Sequence, residues 1–203
     1  LMLMLWLIWK KKLAFYAFAD TWKLLGTGAV VALHWITFFL SARLSNVSVC
    51  LAGMATVTLW TAFLEPLFFK RRISLLEVLC GGLVILGLYL IFRFEFDHAI
   101  GLSVALVSAF LSALFSILNA FLVRKHDHFN ITMYEMAGAA LSIILALWLM
   151  TGLGWLQRDI QLSTGALDWF YLFLLSGICT VYAFSISVEL MKRMTPFVVN
   201  LSI

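Results

Sequence analysis

The chain has 203 residues, of which 64% are hydrophobic and 12% are charged, and its mean hydropathy is +1.06. Soluble domains average about 45–50% apolar and about 25% charged residues, so the composition excludes an ordinary soluble domain and predicts a polytopic membrane protein. The formal net charge of +4 does not indicate a nucleic-acid-binding protein. The basic residues lie in short clusters between apolar runs, as topology signals do.

Continuous apolar runs predict transmembrane helices, because the strands of a membrane barrel alternate over roughly 10 residues. The predicted fold class is therefore all-α, a transmembrane helix bundle with six complete spans and two partial ones. The complete spans are expected near residues 24–42, 47–69, 75–92, 99–123, 131–150 and 169–190. The partial spans occupy 1–9 and the residues from 195 onward, so the chain is expected to be a piece of a longer protein.

The distribution of basic residues tests this partition when the two sides of the membrane are alternated along the chain. One side collects Lys10, Lys11, Lys12, Lys23, Lys70, Arg71, Arg72, Arg124, Lys125, Lys192 and Arg193. The other side holds only Arg43, Arg93 and Arg158. Short loops with an excess of Lys and Arg face the cytoplasm. The sequence therefore predicts a multi-pass protein of the inner (plasma) membrane with the first side inward.

A weak internal similarity relates the first complete span to the sixth at an offset of 147 residues. It pairs Trp35 with Tyr182, Leu44 with Met191, Val47 with Met194 and Ser48 with Thr195. The charge-derived topology makes the two copies cross the membrane in opposite directions. This combination predicts an inverted-topology repeat, a feature of many secondary transporters.

Glu65 is the first candidate for a functional group, because an acidic residue at the centre of a membrane helix costs about 2.5–3.5 kcal/mol on insertion scales. Pro66 removes a backbone donor and frees the carbonyl of Ala62. A carboxylate beside a free carbonyl is suited to binding a proton, a cation or an ammonium group. The structural alternative is that Glu65 pairs with the basic cluster at 70–72 and that Pro66 only kinks the helix.

His34 and Trp35 lie midway along the first complete span. A histidine changes charge near neutral pH, and an aromatic neighbour stacks on a cationic substrate. Tyr134 and Glu135, one turn inside the fifth span, are predicted to lie opposite them. The alternatives are that His34 is neutral and bonded to a hydroxyl group or a facing helix, and that Glu135 caps the membrane interface.

Asn119 is a further cavity candidate, although membrane asparagines more often form hydrogen bonds between helices. Cys50, Cys80 and Cys179 lie singly inside apolar runs, which predicts packing thiols with no disulfide and no metal site. The sequence lacks a Gly-rich phosphate loop, a metal-spaced His/Cys cluster and a nucleophile elbow. No enzymatic activity and no cofactor are therefore predicted.

A resemblance to a known family lies in four segments: ALHWITFFLSARLSNVSVCLAG, FLEPLFFKRR, GGLVILGLYLIF and RMTPFVVNLSI. Together they resemble EamA-type transporters of the drug/metabolite transporter superfamily, over nearly the whole chain. The resemblance implies a full-length template of ten helices in two inverted repeats of five. Residues 1–93 would then be the first repeat without its first helix, and 99–203 the second repeat without its end. Glu65 matches the glutamate that such proteins often carry near the end of the fourth helix.

The leading hypothesis is a secondary transporter that exports or exchanges a small polar metabolite, amino-acid-like or drug-like, by alternating access. The residues assigned to its substrate cavity are His34, Trp35, Tyr134, Glu135 and Asn119, and those assigned to coupling or gating are Glu65 and Pro66. The alternative is a non-transporting membrane scaffold or assembly subunit. The expected partners are the small-molecule substrate and the lipid bilayer, without nucleic acid, and a homodimer is left open.

Overall fold

A computed structural model describes residues 2–92, 98–154 and 165–202. Within these residues the chain is helical and contains no strand, which confirms the predicted all-α class. Arg93, Arg158 and most of the predicted boundary between the two repeats lie outside the described residues.

The described helices are named α1 to α10 in chain order. They are α1 (Met2–Trp9), α2 (Phe18–Leu44), α3 (Val47–Met54), α4 (Val57–Phe69), α5 (Leu75–Phe92), α6 (Ala99–Leu122), α7 (His128–Gly152), α8 (Ala166–Leu174), α9 (Ala183–Leu190) and α10 (Pro196–Leu201). A π-helical segment, Leu175–Tyr182, joins α8 to α9.

Five helical stretches are long and apolar enough to cross a membrane, which confirms the prediction of a helical membrane protein. They are Phe18–Leu44, Val47–Phe69, Ala99–Leu122, His128–Gly152 and Ala166–Leu190. The remaining predicted span, 75–92, also forms a helix, but its apolar stretch, Leu75–Leu90, is shorter than the others. The span count of six and the inverted repeat stay predictions.

Local chemistry explains several helix boundaries. The side chain of Asn46 accepts a hydrogen bond of 2.9 Å from the backbone N–H of Val49 and so caps α3. Asp127 caps α7 in the same way, by accepting a 3.0 Å bond from Phe129 N–H. At its other end, α4 stops at Lys70, whose backbone is left-handed with φ of 51°. Pro66 lies inside α4, so this helix continues past the proline for another turn.

Helix α2 is the central element, because it packs along both α6 and α7. Its contact with α7 is made through two buried glycines, Gly28 on α2 and Gly138 on α7. A Cβ atom on Gly28 would collide with the backbone of Glu135, and one on Gly138 would collide with the backbone of Leu25. Small residues at such positions let helix backbones approach closely, which favours association in lipid.

The basic clusters meet at one end of the bundle. The backbone carbonyl of Lys12 accepts a 3.0 Å hydrogen bond from Asn130 at the start of α7. The Arg124 guanidinium, just after α6, lies over the ring of Phe69 at the end of α4. Lys192, after α9, lines a cavity together with Arg71 and Arg124. The predicted alternation of charges requires these basic clusters to lie at the same end of the bundle, as they do.

The close contact at Gly28 leads to a stability prediction. Gly28→Ala is expected to lower the free energy of unfolding by about 3 kcal/mol, the upper end of the usual cost of overpacking, because backbone atoms of α7 must move. The matched control is Gly26→Ala on the same helix, where a Cβ meets nothing within 4 Å. Alanine is the better helix former, so this control should be neutral or slightly stabilising.

Unfolding midpoints of both variants in the same detergent provide the measurement, with helix content monitored by circular dichroism. Equal midpoints for the two variants would contradict the close α2–α7 contact.

Candidate functional site

Glu135 and Asn119 are two polar side chains buried between helices without a hydrogen-bonding partner. Glu135 on α7 is 0% exposed and Asn119 on α6 is 1% exposed. Among the described residues, neither carboxylate oxygen of Glu135 and neither polar atom of the Asn119 amide has a hydrogen-bonding partner. The Asn119 amide nevertheless lies close enough to the Glu135 carboxyl group to interact with it, so the two side chains are neighbours.

The surroundings of this pair are tightly packed. The backbone of Glu135 abuts Gly28 on α2. Ala120, which follows Asn119, belongs to the buried core with Leu24 of α2 and Ile131 of α7. An unpartnered polar group in such a place costs free energy, of the order of 1–3 kcal/mol for a neutral group and more for a charged one. Glu135 and Asn119 therefore have unused binding capacity in this conformation.

Tyr134 is occupied by a structural contact. Its hydroxyl group donates a 3.1 Å hydrogen bond to the backbone carbonyl of Ala14, in the segment between α1 and α2. Its ring also contacts Tyr16, with centroids 5.6 Å apart. Asn130 binds the same segment, because its side-chain oxygen accepts a 3.0 Å bond from Ala14 N–H. Tyr134 thus holds the connector before α2 against α7, although Glu135 is its neighbour in the sequence.

His34 is partly buried and faces α6. Its Nδ1 lies 3.0 Å from the backbone carbonyl oxygen of Ser108 and 2.9 Å from the Ser108 hydroxyl oxygen. That hydroxyl group also donates to the backbone carbonyl of His34 at 3.0 Å, and the imidazole ring packs beside Phe115. Trp35 makes no hydrogen bond or ring contact within the described part of the chain.

The structure does not bring the predicted cavity residues together as one group. Gly28, which touches Glu135, lies six residues before His34 on α2, which corresponds to a rise of about 9 Å. His34 and Trp35 therefore lie at a different depth from Glu135 and Asn119. The cavity assignment of all five residues stays a prediction.

Glu65 is the buried end of an ion-pair network, as the structural alternative requires. One of its carboxylate oxygens accepts a 3.0 Å hydrogen bond from Nε of Arg71, and the other accepts a 2.9 Å bond from Phe197 N–H at the start of α10. Arg71 also donates two bonds to Glu77, one of them 3.0 Å long. The bonds to Glu77 and Glu65 raise the pKa of Arg71, although its partial burial acts in the opposite direction.

A second polar connection joins α4, α6 and α10. The side-chain amide of Asn200 donates to the Thr61 hydroxyl oxygen at 2.9 Å and accepts a 3.2 Å bond from the Ser116 hydroxyl group. Thr61 lies one turn before Glu65, so both contacts hold α10 against the same face of α4. The role of α10 was not visible in the sequence, because its partners are more than 80 residues away.

The described residues contain no group of three or more His, Cys, Asp or Glu side chains that could hold a metal ion. Cys50, Cys80 and Cys179 are free thiols.

Comparison of the chain with protein-family models, with curated proteins and with solved structures finds no match.

The network around Arg71 leads to a second prediction. Arg71→Met is expected to lower the free energy of unfolding by about 3 kcal/mol, because it leaves the buried carboxylate of Glu65 without its cationic partner. The double variant Arg71→Met/Glu65→Gln should recover part of this loss, since residue 65 is then uncharged and only Glu77 is left without its cationic partner.

The control is Arg72→Met, because Arg72 is exposed and makes only a backbone contact with Arg71. Detergent unfolding midpoints give the coupling free energy as a double-mutant cycle. Strictly additive effects of the two substitutions would be inconsistent with the Glu65–Arg71 pair.

Proposed function

We propose that this chain forms the transmembrane core of a secondary transporter that exports or exchanges a small polar metabolite by alternating access. The observation that carries the proposal is the pair Glu135 and Asn119, fully buried between helices and without hydrogen-bonding partners among the described residues. Polar groups inside a membrane protein usually mark a substrate or ion pathway when they are not used for packing.

The chemistry of the pair indicates a class of substrate. A carboxylate attracts an ammonium group or a proton, and a side-chain amide both donates and accepts hydrogen bonds. A small metabolite with an amino group and a second polar group would satisfy both side chains at once. This is the amino-acid-like class expected from the resemblance to EamA-type transporters.

Alternating access needs contacts that close one end of the bundle and can separate. The contacts of Glu65 with Arg71 and with Phe197 N–H supply such a closure at the basic end. Water can replace both contacts when the end opens, which offsets part of the cost of separating the buried Glu65 carboxylate from the Phe197 N–H group. We assign Glu65 and Pro66 to this gate. It would connect the two proposed repeats, because Glu65 lies in residues 1–93 and Phe197 in 99–203.

A scaffold or assembly subunit is the second candidate, and one observation favours it. His34, Glu65 and Tyr134 all have hydrogen-bonding partners in this conformation. A scaffold would use such groups only to hold its helices together. It would give no reason for Glu135 and Asn119 to be left without partners.

The deciding experiment is transport by the complete protein in proteoliposomes, with a panel of amino acids and related small metabolites, with and without a proton gradient. Glu135→Gln and Asn119→Ala are each expected to weaken the transport of the active substrate about tenfold or more, the cost of one hydrogen bond to a charged group. Glu189→Gln is the control, because Glu189 is an exposed acidic residue near His128.

Failure of every metabolite to move would favour the scaffold. Normal transport by both Glu135→Gln and Asn119→Ala would support a transporter but would contradict the assignment of these two residues to its substrate site. His34→Ala tests the wider cavity. If this variant loses transport without losing stability, His34 and Trp35 belong to the substrate cavity. If it loses stability alone, His34 serves to pack α2 against Ser108.

A further inference from the structure

The basic end of the bundle contains two cavities that share two cationic residues. The deeper cavity, of about 310 Å³, lies between α4, α6 and the turn before α10, and its lining includes Glu65, Arg71 and Arg193. The shallower one, of about 460 Å³, is lined by residues 123–127 and 192. Arg124 and Lys192 belong to both. We call the two cavities together the basic cleft.

The carboxylates of the basic cleft are already used. Glu65 is bound to Arg71 and to the Phe197 N–H group. Asp127 caps α7 and lies 3.8 Å from the His128 ring. Among the described residues that line the cleft, Arg124, Lys125, Lys192 and Arg193 are cations that form no ion pair. The cleft therefore has a surplus of positive charge that its own acidic side chains do not neutralise.

Arg124 is held in position by an aromatic platform. The rings of Phe69 and Phe121 stack with centroids 4.3 Å apart and an interplanar angle of 4°. The guanidinium carbon of Arg124 lies 5.1 Å from the centroid of the Phe69 ring. A guanidinium group in contact with an aromatic face loses little further freedom when it binds an anion, and its fork of N–H donors matches two oxygens of a phosphate.

We propose that the basic cleft binds a phosphate group, carried either by an anionic lipid headgroup or by a soluble phosphorylated molecule. Arg124 supplies the bidentate contact, and Lys192 and Arg193 supply charge from the turn between α9 and α10. The topology rule explains why these residues are basic. It does not explain why α6 and the α9–α10 turn direct their cations to shared cavities, or why Arg124 rests on stacked rings. Basic pockets between helices at the cytoplasmic surface are suited to phosphate headgroups.

The test measures unfolding midpoints of the purified protein in a neutral detergent. Inorganic phosphate and a short-chain phosphatidic acid are titrated separately, and sodium chloride at equal ionic strength corrects for screening. A ligand that binds the folded state raises the midpoint with concentration, which yields an apparent Kd. Lys192→Gln and Arg124→Gln are each expected to weaken binding about fivefold, and the double variant roughly 25-fold.

Two controls separate a site from general surface charge. Lys70→Gln removes an exposed cation from the same end of the bundle that lines neither cavity, and Arg43→Gln removes one from near the end of α2 away from this cleft. Both should bind the probes as the unaltered protein does. If Arg124→Gln does not fold, Lys192→Gln carries the test, because Lys192 is exposed.

A midpoint shift with inorganic phosphate supports a soluble phosphorylated ligand, and a shift with phosphatidic acid alone supports a lipid headgroup. The proposal is overturned if neither probe exceeds the chloride effect, or if Lys70→Gln weakens binding as much as Lys192→Gln does. The result is independent of the transport assay, because no substrate and no gradient enter it.

Discussion

Hydrocarbon offers no hydrogen bonds, so every polar group inside this bundle depends on a partner supplied by another part of the chain. The constraint is visible at Glu65, where one oxygen binds Arg71 and the other binds the first free N–H group of α10. It is visible again at Asn200, which uses its side-chain amide between Thr61 and Ser116. Polar contacts of this kind, rather than apolar burial alone, fix which helices are neighbours at the basic end.

The constraint is not met at Glu135 and Asn119. Glu135 lies beside a close contact between α2 and α7, where its backbone abuts Gly28. Close backbone contact favours the association of α2 with α7, but it leaves little room for a partner near the carboxyl group. A conformation in which α2 and α7 move apart would open space for a substrate next to these two side chains. Packing and the proposed transport function therefore concern the same contact.

The cationic residues at the basic end of the bundle have two separate consequences. Their number predicts the orientation in the membrane, which requires only that they lie in loops on one side. Their arrangement creates the basic cleft, which requires that α6 and the α9–α10 turn end next to each other. Arg71 takes part in both. It lies in one of the basic clusters, and within the cleft it pairs with the buried Glu65.

The sequence alone determined the class of protein, because continuous apolar runs and charged clusters are local properties. The runs placed most span ends within three residues, although α2 begins at Phe18, six residues before the predicted start. The alternation of charge placed the basic clusters at one end. It also identified Glu65, Glu135 and Asn119 as polar groups that needed an explanation. The interruption at 55–56 between α3 and α4, and the π-helical segment before α9, had no signal in the apolar pattern.

Only the tertiary structure decided the partners. His34 meets Ser108 across 74 residues, Tyr134 meets Ala14 across 120, and Glu65 meets Phe197 across 132. A membrane helix can rotate about its axis without changing its hydropathy, so the apolar pattern does not state which face meets which neighbour. That choice is made by close packing at positions such as Gly28 and Gly138. It gave His34 and Tyr134 hydrogen-bonding partners on other elements and left Glu135 and Asn119 without one.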